Sequence, residues 1–137
     1  MTHRGTSMVI DSSAITAILL GEPEAPALSR AIASDPRRLV SAFALLEAGI
    51  VIEARKGLVA GRELDLLLHR ARADIVPLTE SQAEIARSAW RQYGRGRHPA
   101  ALNIGDCAAY ALSRSSGEPL LCKGNDFSQT DVKLASY

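Results

Sequence analysis

The stretch LNIGDCAAYALSRSSGEPLLCKGNDF, from Leu102 to Phe127, restricts the fold more than any other part of the chain. It opens with the loop Asn103-Ile104-Gly105, which delivers Asp106 to the first turn of a helix. Ala108, Ala109, Ala111 and Leu112 give that helix a small-residue face able to lie close against a sheet. Gly117 ends it, because glycine accepts the left-handed conformation that closes a helix. Glu118-Pro119 turns the chain, and Leu120-Leu121-Cys122 is a short apolar run suited to a buried parallel strand. The polar turn Lys123-Gly124-Asn125-Asp126 follows at once. In an open α/β sheet, ligands bind at the carboxyl ends of the strands, so Asp106 and Asp126 are expected to converge on one edge. The plainer alternative is that Asp106 caps its helix and Asp126 only makes a turn.

The rest of the chain repeats that pattern. Met8-Val9-Ile10 is an apolar run ending at Asp11, a second strand followed by an acid, and Ser12-Ser13 offers N-cap chemistry for a helix over Ala14–Leu20. Pro23 suits the first turn of a further helix with Ala27, Leu28, Ala31 and Ile32 on its apolar face. Arg38-Leu39-Val40 reads as a strand, and Ser41 as the cap of a helix that carries Phe43, Leu46, Gly49 and Ile50. Ala60–Ala73 is another helix, striped by Leu64, Leu67, Leu68 and Ala71. Ile75-Val76-Pro77-Leu78 makes the next strand, and Thr79-Glu80-Ser81-Gln82 begins a helix with capping-box character. The glycine-rich basic loop Gly94–Pro99 then leads back to the opening stretch, and Thr130-Asp131-Val132 is expected to add a last edge strand. Strands alternating with helices predict an α/β fold around a central parallel sheet, in one domain over residues 8–137. Residues 1–7 carry no periodicity and read as a flexible extension or an expression remnant.

Composition excludes several classes. With 16 basic and 15 acidic residues the net charge is +1, so any attraction for phosphate must come from local clustering. Aromatics at 4% do not support an extended base-stacking surface. Cys107 and Cys122 lie in apolar segments, away from any metal-site spacing, and read as core residues in a reducing compartment. No apolar run approaches the ~20 residues of a membrane span, and the expected location is the cytoplasm.

Four acids remain: Asp11 after the first strand, Glu47 inside the apolar run ALLEAGIVI, Asp106 and Asp126. Burying a carboxylate such as Glu47 costs several kcal/mol unless something pairs with it, so it either reaches an exposed seam or meets a cation. Carboxylates gathered at one edge repel and raise one another's pKa unless a cation neutralises them. An all-oxygen set suits Mg2+ or Mn2+, which can activate water against a phosphodiester.

The segments VIDSSAITAILLGEPE, SAFALLEAGIVIEARKG and LNIGDCAAYALSRSSGEPLLCKGNDFSQTD resemble the PIN-domain ribonuclease toxins of the VapC type, in order and over residues 8–137. The resemblance implies a Rossmann-like three-layer α/β/α fold with a central parallel sheet. It implies a Mg2+- or Mn2+-dependent endoribonuclease, the toxin of a type II toxin–antitoxin pair, dimeric and silenced by a VapB-type antitoxin. Carried over residue by residue, Asp11 and Asp106 would be the principal metal ligands, Glu47 would complete the site directly or through water, and Asp126 would be the fourth acid. Many relatives place an aspartate where Asn125 stands, which leaves open whether Asp126 reaches the metal or Asn125 fills a neutral supporting role. Ser12 would bond a ligand carboxylate or only cap its helix.

Arg95 and Arg97 are candidates to contact RNA phosphates, and His98 shows no partner that would make it a general base. Asp11-Ser12-Ser13 lacks the second carboxylate of a HAD-type phosphatase, and a glutamate in a helix replaces the mid-chain aspartate of a receiver domain. A catalytically silent PIN-fold partner-binding module is the alternative; it predicts loss of the acids, and all four are present. The apolar runs Ala14–Leu20 and Ile50–Ile52 point to a homodimer that also offers a groove to an antitoxin helix.

Overall fold

The computed structural model describes residues 7–137, so the expected N-terminal extension lies outside it except for Ser7, which opens the first strand. The elements run β1 (Ser7–Ile10), α1 (Ser12–Leu19), α2 (Ala25–Ser34), β2 (Arg37–Ser41), α3 (Ala42–Lys56), α4 (Leu58–Arg70), β3 (Asp74–Val76), α5 (Glu80–Tyr93), α6 (Ile104–Ser116) and β4 (Leu120–Leu121). A 3-10 turn, Asp126–Gln129, follows β4. The strands pair in the order β3-β2-β1-β4, and every pairing is parallel. Each crossover therefore needs a helix, and the helices cover both faces.

Strand alternation divides the core in two. Met8 and Ile10 of β1 pack with Ala14, Leu28, Val40, Ala48 and Leu64 toward α1–α4. Val9 turns the other way and packs with Leu39, Tyr93, Leu102, Tyr110 and Leu120 against α5 and α6. This is the expected three-layer arrangement with a central parallel sheet. Asp11 N–H donates to Leu121 O at 2.9 Å, so the residue leaving β1 sits level with the end of β4.

Several local expectations need correction. α2 begins at Ala25, and Pro26 rather than Pro23 occupies its first turn, where a missing N–H costs nothing. Ser12 and Ser13 are already helical; the N-cap of α1 is Asp11, the plainer role open to that acid, and its carboxylate accepts from Ser13 N–H. α3 buries Ala44, Ala48 and Ile52, while Leu46 and Ile50 are 58% and 61% exposed. Of the run Ile50–Ile52, expected to leave apolar surface for a partner, Ile50 does so and Ile52 packs inward beside the two alanines. Thr79 caps α5 as expected, but Gln82 donates its side-chain amide to Pro77 O instead of closing the box. The edge contact expected at Thr130–Val132 forms two residues later, where Leu120 bridges Leu134 in parallel. Among the described residues no helix is long and apolar enough to cross a membrane.

Candidate active site

Parallel pairing brings the ends of β1, β2 and β4 to one edge, and the acids come with them. Asp11 is only 3% exposed. Its carboxylate keeps one local partner, Ser13 N–H at 3.1 Å. Burial raises its pKa to about 6 against an ordinary 3.8; the bonds to Ser13 oppose the rise, and the charges of Asp106 and Glu47 add to it.

Glu47 projects from α3 and accepts a hydrogen bond from Ser12 Oγ at 2.7 Å. Its carboxylate lies directly on Gly105, where any side-chain carbon would collide with it. Glu47 is half-buried, and among the described residues no basic side chain pairs with it. The glycine in the first turn of α6 exists for this close approach, since its backbone is ordinary helix.

Asp106 takes the third position of α6 and closes a reciprocal capping box. Asn103 N–H donates to Asp106 Oδ2 at 3.0 Å, and Asp106 N–H donates to Asn103 Oδ1 at 2.8 Å. Capping and convergence were posed as alternatives for this residue, and the structure has both. Burial raises the Asp106 pKa, the Asn103 N–H lowers it, Asp126 and Glu47 raise it, and Arg95 lowers it.

Asp126 opens the 3-10 turn after β4 and is exposed. Its charge reaches Asp106, whereas Asn125 spends its carbonyl on Ser128 N–H and Oγ, at 3.1 and 2.6 Å. The buried thiol of Cys122 registers the cluster independently. Burial pushes it up to about 12, and Asp11, Asp106 and Asp126 each add to the rise. Asp11 at the end of β1, Asp106 in the first turn of α6 and Asp126 after β4 thus all bear on one buried atom.

The donors are all oxygen, the class that hard divalent cations take. Asp11 is buried without a cation partner among the described residues, and the carboxylates beside it raise the cost of its ionisation. These features fit a divalent ion. Among the described residues no three acids are yet gathered closely enough to hold a metal ion together; Asp106 accepts from its own cap residue and Glu47 accepts from Ser12.

Next to Asp106 a cleft of about 510 Å3 runs between α5 and α6, with Phe43, Leu78, Trp90, Ile104 and Arg95 in its walls. Arg97 stacks its guanidinium on the Trp90 ring, 4.5 Å from the centroid. His98 is structural: Nδ1 accepts from Ala100 N–H at 3.0 Å, and the ring meets Tyr93 edge-on. Sequence reasoning passed over Ser13, Gly105 and Lys123. The glycine beside an acid in a helix start was the one visible signal; the roles of Ser13 and Lys123 depend on contacts across the sheet edge.

The PIN-domain family profile matches residues 8–133. A ribonuclease VapC of Mycolicibacterium smegmatis is 55% identical over 125 residues, covering 91% of this chain and 97% of that protein. The solved VapC20 of Mycobacterium tuberculosis, described as a sarcin–ricin loop cleaving toxin, superposes with a TM-score of 0.78 at 18% identity, over 95% of this chain and 99% of that one. A chain from a toxin–antitoxin complex of Klebsiella pneumoniae superposes with a TM-score of 0.72 at 15% identity, over 95% and 98%. The parallel sheet with acids at its carboxyl edge, the profile and the high identity agree: this chain belongs to the PIN-domain family, among the VapC ribonucleases.

Proposed function

We propose that this chain is the toxin of a VapBC pair and cuts RNA internally at the Asp11, Glu47, Asp106 and Asp126 edge. PIN-domain ribonucleases of the VapC group are metal-dependent in general, and Mg2+, with Mn2+ as a substitute, is the ion proposed here. When bound, it activates water and offsets charge developing on the phosphodiester. Asp11 and Asp106 hold it. Glu47, fixed by Ser12 and Gly105, ligates directly or orients a water, and Asp126 supplies the fourth negative charge. Asn125 supports the turn from which Asp126 projects. Arg95 and Arg97, on the loop ahead of α6, face RNA phosphates flanking the cut.

The observation that carries this reading is Asp11, a buried carboxylate with other acids beside it and, among the described residues, no cation paired to it. The group has least reason to exist in a structural edge and most in a metal site. The partner reading rests on the α3–α4 groove, where exposed Leu46 and Ile50 line one shallow pocket with Leu45 and Leu64. The expected contribution of α1 shrinks, since Ala14, Ile15 and Ala17 are buried within the chain itself. An antitoxin helix is proposed for the α3–α4 face. A second copy of the chain is proposed for the apolar patch of Leu78, Trp90 and Ile104.

The test is cleavage of total RNA by the isolated chain, with the product ends identified. Attack by water leaves a simple phosphate and a hydroxyl, whereas attack by the neighbouring 2′-hydroxyl leaves a cyclic phosphate. Cyclic products, or cleavage undiminished in EDTA, would contradict the reading.

A further inference from the structure

Lys123 follows β4 directly, and its contacts reach back to the start of the chain. Its N–H donates to Ser13 Oγ at 3.0 Å, while Ser13 N–H donates to Asp11 Oδ2 at 3.1 Å. One serine therefore joins Asp11 to the loop that carries Asp126. At the other end of the side chain, Lys123 Nζ donates to Glu22 Oε1 at 2.6 Å and lies 3.9 Å from Glu24 Oε1. That Glu24 oxygen is buried and accepts no hydrogen bond, so the ammonium is what balances it. Glu22 and Glu24 belong to the turn between α1 and α2, so the lysine straps this turn to the end of β4.

What the strap holds is a loop with few other restraints. Gly124 takes a left-handed φ of 95°, and Asn125 and Asp126 are exposed. Among the described residues no hydrogen bond holds the Asp126 side chain. Its place is set by the backbone, pinned by Lys123 on one side and by buried Phe127 on the other.

We propose that Lys123 is a positioning residue, which through Ser13, Glu22 and Glu24 fixes the 123–126 loop so that Asp126 completes the acidic edge. This rests on the nuclease reading above. The lysine touches no reacting group; it acts through Asp126.

The experiment is a double-mutant cycle on the full chain, read as cleavage rate and as the Mg2+ concentration giving half-maximal rate. Lys123→Met should raise that concentration or lower the rate by about 10–100-fold, as loss of a group supporting a metal ligand does. Lys123→Arg should restore most of the loss. Glu22→Gln, which leaves the lysine in place but removes its ionic partner, should give a smaller shift in the same direction. Lys123→Met combined with Asp126→Asn should be no worse than Asp126→Asn alone. Additive losses would overturn the proposal, as would a Lys123→Met effect confined to the KM for RNA, which would place the ammonium on substrate phosphate. An Asp126→Asn variant with full activity would also overturn it while leaving the metal site intact. Full activity in Asp11→Asn would instead sink the nuclease reading itself.

Discussion

Replacing Asp11 with asparagine should abolish RNA cleavage and yet make the metal-free protein more stable at neutral pH. The carboxyl is fully enclosed, and its pKa rises from 3.8 to about 6, chiefly through burial and further through Asp106 and Glu47. A displacement of that size is worth roughly 3 kcal/mol at pH 7. The sign follows from linkage. Folded Asp11 holds its proton more tightly than unfolded Asp11, so below pH 3.8 the penalty is absent. Stability is then lost as the pH rises through the interval up to about 6, and above it the full cost remains. Asparagine keeps an acceptor for Ser13 N–H and never ionises. For a domain of this size, roughly 3 kcal/mol corresponds to about 10 °C in Tm. Thermal melts in EDTA at pH 7.5 and pH 4 give the assay. The variant should melt higher at pH 7.5, the gap should close at pH 4, and added Mg2+ should stabilise only the parent. A variant that melts level with or below the parent at pH 7.5 would refute the claim that Asp11 is held at electrostatic cost.

Gly105→Ala should displace the Glu47 carboxylate, because the new methyl occupies its place; with helix propensity offsetting part of the crowding, stability should change by no more than about 2 kcal/mol, while cleavage falls about 10²-fold. Parent-like kinetics in that variant would remove Glu47 from the site. Tyr110→Phe deletes the 2.6 Å bond from the phenol to Asp131, which ties α6 to the C-terminal segment, and should cost about 1.5 kcal/mol in urea unfolding without altering the Mg2+ requirement. Leu46→Glu with Ile50→Glu should leave cleavage intact but weaken inhibition by the antitoxin, measured by titrating it into the nuclease assay; unchanged inhibition would move the partner to another face.

The alternation of strand and helix was legible because β1 and β4 are short apolar runs stopped by a polar residue, as in Met8–Asp11 and Leu120–Lys123. From that alternation the convergence of Asp11, Asp106 and Asp126 followed, since parallel strands end on the same edge. What stayed hidden depends on side-chain direction. An apolar run such as Ile50–Ile52 shows that surface will need cover but not which of its residues packs inward: Ile52 is buried and Ile50 exposed. Asp11, Ser12 and Ser13 all offer capping chemistry to α1, and only the strand pairing decides which of the three leaves the sheet first. The pairing of Lys123 with Glu22 spans most of the chain and carries no periodic signal.

The central claim is that the acidic edge works by holding a divalent ion for RNA cleavage. Asp106 tests it most directly, because its carboxylate feels the charges of both Asp126 and Glu47, and an amide oxygen can still accept from the Asn103 N–H. The measurement is the single-turnover cleavage rate of a defined RNA across a Mg2+ titration, for the parent chain and for Asp106→Asn. The account predicts a saturable dependence in the parent, abolished by EDTA, and a variant that stays folded but slower by about 10²-fold or more at every Mg2+ concentration. A parent rate independent of Mg2+, or an Asp106→Asn curve that overlays it, would contradict the account.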